Sequence, residues 1–160
     1  MSGARIMAFL GKGGAGKTMM SALTARILIG RGERLLMIDA DPALGLTHAL
    51  GAEFRLTLGE ARERVIREAK RGAGEDKAGI SGMLDYLILE ALSEFRGFSL
   101  LVMGHAEGPG CYCPVNTLLR ESIEELSASF DYIVIDAEAG MEQVSRQLTR
   151  RVEHPLIVSD

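Results

Sequence analysis

Gly11-Lys12-Gly13-Gly14-Ala15-Gly16-Lys17-Thr18 is the stretch whose residue types and spacing most plainly do chemistry. It fits G-x-x-x-x-G-K-[ST], a phosphate-binding loop. Its glycines let backbone N–H groups close around phosphate oxygens without Cβ clashes. The helix that opens at Lys17, Thr18 and Met19 adds the partial positive charge of its N-terminus. Lys17 is expected on the β- and γ-phosphates, and the Thr18 hydroxyl on Mg²⁺. A glycine-rich turn could match the same pattern by chance. The flanks argue otherwise: an apolar run, Ile6 to Leu10, precedes the loop, and a helical pattern follows with Ala22, Leu23, Ile27 and Leu28 on one face.

Three carboxylates stand at the ends of apolar runs. Arg34 to Ile38 leads into Asp39-Ala40-Asp41-Pro42, and Tyr132 to Ile135 leads into Asp136. Continuous apolar runs suit parallel strands covered on both faces, and ligands of open α/β sheets sit at strand carboxyl ends. Beside a phosphate loop, Asp39 and Asp41 suit Mg²⁺ binding or water activation, and Asp136 suits Mg²⁺ held next to Thr18. The plainer alternatives are turn-forming acids before a proline and a helix-capping acid.

Lys12, directly after the first glycine, gives K-G-G-x-G-K-T. This form resembles the deviant Walker A loop of the MinD/ParA/nitrogenase-iron-protein group of ATPases. The resemblance implies a nucleotide-sandwich homodimer in which Lys12 reaches the partner's ATP and stabilises the transferring phosphoryl group together with Lys17. D-x-D-P resembles that group's switch I segment, which assigns Asp41 to orienting the attacking water and leaves Asp39 to help around the metal. Ala137-Glu138-Ala139-Gly140 resembles a switch II turn.

The only cysteines, Cys111 and Cys113, lie in His105-Ala106-Glu107-Gly108-Pro109-Gly110-Cys111-Tyr112-Cys113-Pro114. One C-x-C gives two soft ligands where a closed structural site needs four. A symmetric dimer would supply the pair twice, suiting tetrahedral Zn²⁺ or square-planar Ni²⁺. Two buried small hydrophobes are the bland alternative; His105 reads as a surface histidine. Glu107 to Asn116 followed by Leu118-Leu119-Arg120, with Asp131 to Asp136 and Glu138 to Gly140, resembles the nickel-insertion accessory ATPases of carbon monoxide dehydrogenase, the CooC family. That resemblance implies ATP-driven dimerisation, Ni²⁺ or Zn²⁺ held between paired C-x-C motifs, and delivery to a nickel enzyme such as carbon monoxide dehydrogenase. Two other readings stay open. The nitrogenase iron protein family of electron donors takes one cysteine from each of two separate loops, which the tight pair here does not match, although four dimer thiolates suit an iron–sulfur cluster chemically. A ParA/MinD-like positioning ATPase would leave the cysteines idle.

The elements needed to position these groups follow from periodicity. Strands are expected over residues 5–10, 34–38, 98–103, 132–136 and 155–158, and helices over 17–29, 115–128 and 141–152. Between them, Thr57-Leu58-Gly59-Glu60 reads as a capping box opening a charged helix to Lys70. A loop is expected over 71–79. A further helix should bury Met83, Leu84, Leu87, Ile88, Ala91 and Leu92. Five alternations of strand and helix predict an α/β P-loop NTPase fold, a mostly parallel sheet with helices on both faces.

With 160 residues, 47% apolar and 25% charged, the chain is expected to be a single P-loop ATPase domain over residues 1–160. Compared with the resembled families it is expected to be incomplete at its C-terminus. The net charge of −4 argues against generic nucleic-acid binding, and no apolar window has transmembrane length. The lack of a signal peptide and of spaced cysteines favours a cytoplasmic, reducing location.

Overall fold

The computed structural model describes residues 4–71, 77–104, 121–137 and 154–159. In chain order the elements are β1 (Arg5–Leu10), α1 (Lys17–Gly30), β2 (Leu35–Ala40), α2 (Gly45–Leu50), α3 (Leu58–Lys70), α4 (Lys77–Ala91), β3 (Ser93–Phe95), β4 (Phe98–Val102), β5 (Tyr132–Ala137) and β6 (His154–Ile157). Residues 121–127 are also helical. The described strands form one sheet in the order β3-β4-β2-β5-β1-β6. All pairings are parallel except β3 with β4. This is the α/β fold the alternation predicts.

Strand alternation sorts the core into two layers. Ile6, Ala8 and Leu10 of β1, Leu36 and Ile38 of β2, Leu101 of β4, and Ile133 and Ile135 of β5 pack with α3, α4 and Ile123. Phe9, Leu35, Met37, Leu100, Val102 and Val134 pack on the opposite side with Ala25 and Leu28 of α1 and Leu46 of α2. Each face therefore has its own helical cover, which is why the strands read as unbroken apolar runs.

Polar contacts fix the register of strands far apart in sequence. At the amino end of the sheet, Arg34 donates from its backbone N, Nε and Nη2 to the Asp131 carboxylate at 2.9, 3.1 and 2.6 Å. The Arg34 guanidinium holds Asp131 at about 2. The result at the other end is that Asp39 and Asp136 are direct partners across β2 and β5.

Several expectations need correction. α1 does not bury Leu23 and Ile27; they are 44% and 56% exposed, and the inward residues are Lys17, Ser21, Ala25 and Leu28. Lys17 and Ser21 must face the loop and Asp136, so polar anchors set the helix rotation ahead of the apolar stripe. The sheet has a sixth strand that the periodicity misses: β3 is antiparallel, joined to β4 through Arg96 and Gly97 (φ 98°), with Phe95 stacked on Phe98 at 4.9 Å. The expected 71–79 loop gives way to α4 at Lys77, and residues 72–76 lie outside the described set. α2 occupies the segment after Asp41. The capping box is present in full: Thr57 Oγ1 accepts from Glu60 N, and Glu60 accepts from Thr57 N. Leu84, Leu87, Ile88 and Ala91 are buried as expected, whereas Met83 and Leu92 are half-buried against the same core. The expected 141–152 helix, and residues 115–120 of the expected 115–128 helix, are outside the described residues.

Candidate functional site

The glycine loop leaves the carboxyl end of β1 and turns into α1. Gly14 and Gly16 adopt φ of 80° and 97°, conformations that favour glycine. A Cβ added at Gly13, Gly14 or Gly16 would meet nothing within 4 Å, so the loop opens onto free space. Gly16 caps α1 without any side-chain partner, which leaves the helix's first N–H groups turned toward that space. Lys17 is buried, and its Nζ donates to the Lys12 carbonyl at 2.9 Å, across the loop itself. Lys12 is exposed.

Thr18 Oγ1 donates to Asp136 Oδ2 at 2.7 Å, so the hydroxyl at the start of α1 and the acid at the end of β5 are in direct contact. Ser21 lies one turn on, fully buried, 3.0 Å from the Lys17 carbonyl and 3.4 Å from Asp136 Oδ1. Asp136 is 1% exposed. Burial pushes its carboxyl above the usual range; the Thr18 hydrogen bond pulls it down, and the neighbouring Asp39 charge adds to the rise.

Asp39 is fully buried, and Thr47 donates to its Oδ2 from backbone N at 2.8 Å and from Oγ1 at 2.6 Å. Asp41 is half-buried and accepts from Ala43 N at 2.9 Å. It faces a cleft of about 630 Å³ lined by Gly13, Gly14, Gly16, Lys17, Thr18, Met19, Ala22, Leu23, Arg26, Asp41 and Ala49. The cleft thus joins the phosphate loop to Asp41, with Asp136 behind Thr18. Gly11 and Ala15 complete the loop's path, and Ala15 N donates to the Lys12 carbonyl at 3.3 Å. Among the described residues no three His, Cys, Asp or Glu side chains could hold a metal ion by themselves. A divalent ion here would lean on Thr18, Asp136 and the oxygens of a bound phosphate. One hydroxyl and one buried carboxylate in contact are a fitting hard-donor set for Mg²⁺.

Cys111, Cys113, His105, Glu107, Glu138 and Gly140 lie outside the described residues. Their segments start from described anchors. Met103 N, one residue past β4, donates to the Asp39 carbonyl at 2.8 Å, two residues before His105. Ser21 and Thr47 are the polar residues that sequence reasoning misses. A lone serine one turn after Lys17 in an apolar helix is a signal for the first. Nothing local marks the second.

Residues 6–154 match the model of the CobQ/CobB/MinD/ParA nucleotide binding domain, and the chain belongs to that family. An uncharacterized ATP-binding protein of Methanocaldococcus jannaschii is 41% identical over 158 residues, covering 97% of this chain and 61% of that protein. The carbon monoxide dehydrogenase accessory protein CooC of Rhodospirillum rubrum is 32% identical, covering 95% of this chain and 61% of that protein. The chain thus spans about three-fifths of these relatives' length. Cobyrinic acid a,c-diamide synthase of Mycobacterium smegmatis, solved with ADP and magnesium, shares the fold at a TM-score of 0.68 and 20% identity, covering 98% of this chain and 60% of that one.

Proposed function

We propose that this chain binds ATP with Mg²⁺, hydrolyses ATP, and uses a nucleotide-dependent homodimer to carry Ni²⁺ or Zn²⁺ on paired C-x-C motifs to a nickel enzyme such as carbon monoxide dehydrogenase. One observation carries the ATPase part: Thr18 meets Asp136 at 2.7 Å at the head of a cleft that also holds the glycine loop, Lys17 and Asp41. The open glycines, with Ala15 and Met19, would cradle phosphates by their backbone N–H groups. Lys17 would exchange the Lys12 carbonyl for phosphate oxygens, and Asp41 would orient the attacking water. Thr18 and Asp136 would hold Mg²⁺, which neutralises phosphate charge when bound. Lys12, exposed on the loop, would serve the partner's nucleotide. Support for the metal part is the 32% identity to CooC and the cysteine pair in the segment that leaves β4 beside Asp39.

The test is titration of Ni²⁺ and Zn²⁺ into the reduced chain, with and without ATP and Mg²⁺, while molecular mass is followed. A Cys111→Ser/Cys113→Ser variant and Lys12→Ala run alongside. The expected result is one metal per dimer, lost in the cysteine variant, and nucleotide-dependent dimerisation lost in Lys12→Ala. Dimerisation by ATP with no thiol-dependent metal would move the chain to a positioning ATPase. A carboxysome-distribution protein of Synechococcus elongatus, 29% identical over 136 residues, makes that reading concrete.

A further inference from the structure

Asp39 has no task in the reading above, yet it is fully buried at the carboxyl end of β2. Its carboxylate grips both ends of one short arc. Oδ1 accepts from Asp41 N at 3.2 Å, and Oδ2 accepts from Thr47 N at 2.8 Å and Thr47 Oγ1 at 2.6 Å. Inside the arc, Leu44 sits at φ 56°, a left-handed conformation that a branched side chain adopts only when its surroundings impose it. Gly45 lies so close to Thr18 that an added Cβ would stand 3.3 Å from Oγ1. The arc thus carries Asp41 on one limb and runs close beside the Thr18 hydroxyl with the other. Its strained centre is held shut by Asp39 and Thr47. Of the roughly four lone-pair sites on a carboxylate, Asp39 commits three to protein donors. Asp136, its partner across the strands, accepts two hydroxyls from the described residues, one of them that of Thr18.

We propose that Asp39 is a positioning residue: with Thr47 it fixes the arc from Asp41 to Thr47, so that Asp41 is aimed into the cleft and Gly45 stays against Thr18. The proposal rests on the ATPase reading and is independent of the metal that the cysteines carry.

The experiment compares Asp39→Asn, Thr47→Val and Thr47→Ser, alone and in an Asp41→Asn background. It measures ATP turnover, fluorescent-ATP binding, the Mg²⁺ concentration for half-maximal rate, and amide exchange in the nucleotide-free protein. In Asp39→Asn one acceptor oxygen is lost, so the carboxamide N–H₂ must oppose either Asp41 N or the Thr47 donors, and kcat should fall about 100-fold, the penalty of a misplaced reacting group. Nucleotide affinity should change less than about threefold. Thr47→Val should lose about tenfold in kcat, and Thr47→Ser should restore it. Once Asp41 is already Asn, Asp39→Asn should add less than about twofold, because the group being aimed is gone. The half-maximal Mg²⁺ concentration should stay put, and amides 43–47 should exchange faster. A large rise in the Mg²⁺ requirement with kcat recovered at high Mg²⁺ would make Asp39 a ligand and overturn the proposal. Full additivity with Asp41→Asn would reduce it to a purely structural acid. Should Asp39→Asn not fold, wild-type kcat in Thr47→Val overturns the proposal alone. A wild type that binds ATP without turning it over defeats the ATPase reading; unchanged exchange at 43–47 in the variants defeats the positioning role.

Discussion

Gly11 is where the phosphate loop and the edge strand of the sheet touch, and replacing it with alanine should destabilise the chain before any nucleotide is added. Its φ is 145°, outside what a residue with a Cβ adopts comfortably, and the added Cβ would lie 2.1 Å from the Val158 carbonyl oxygen. Backbone cannot swing aside as a long side chain can. To open that contact to 3.0 Å, the end of the strand must retreat by nearly an ångström. That movement pulls on the bond from Val158 N to the Leu10 carbonyl, 2.7 Å long. Forcing alanine into a glycine-only conformation costs about 1–3 kcal/mol, and losing one backbone hydrogen bond about 0.5–1.5 kcal/mol. Together these give about 1.5–4.5 kcal/mol, which for a chain of this size lowers Tm by roughly 3–18 °C. Gly13→Ala is the matched control: its Cβ meets nothing within 4 Å, so stability should stay within about 0.5 kcal/mol of wild type while phosphate affinity drops. Urea unfolding of the nucleotide-free chain, with fluorescent-ATP binding on the same samples, separates the two effects. A Gly11→Ala stability within about 1 kcal/mol of wild type would refute the reasoning, since it would mean that β6 yields freely.

Two further outcomes follow from single side chains. Asp136 has a native pKa raised by burial and by the Asp39 charge, so the native state holds its proton more tightly than the unfolded chain does. Its contribution to stability is therefore greatest below the unfolded carboxylate range and falls as pH rises. Asp136→Asn should have a higher nucleotide-free Tm than wild type at pH 7, with the gap closing toward pH 4, and should lose Mg²⁺-dependent nucleotide binding; a gap that widens on acidification reverses the sign and defeats the assignment. Thr57→Ala should cost about 1 kcal/mol in urea unfolding by removing the α3 cap, and Thr57→Ser should recover most of it; equal losses in both variants would point instead to the packing of the Thr57 methyl against Gly104.

Legibility in the sequence tracks how local each cause is. The phosphate loop, its flanking strand and helix, and the Thr57–Glu60 box are set by residues within a few positions of one another, and they stand where the spacing puts them. The buried face of α4 is equally plain, because Leu84, Leu87, Ile88 and Ala91 answer only to one apolar surface. The rotation of α1 is not legible locally because it is decided elsewhere: Ser21 turns inward to meet Asp136, 115 positions away. That turn leaves Met19 and Leu23 on the wall of the cleft. β3 is three residues long, has no period of its own, and exists only because β4 gives it a ladder. The pairing of Asp39 with Asp136 depends on β5 adding beside β2, a choice made by the whole sheet.

Thr47 is the most instructive omission, because its partner changes what Asp39 is for. Two acids separated by one residue before a proline invite the reading that both serve the metal. In the folded chain their surroundings part them. Asp39 lies in the strand proper and accepts three hydrogen bonds from its own arc, whereas Asp41 lies beyond the strand and faces the cleft. The backbone of Asp39 has a further bond, accepting Met103 N at 2.8 Å. The arc that aims Asp41 and the chain that runs on to Cys111 and Cys113 therefore start from opposite sides of one residue.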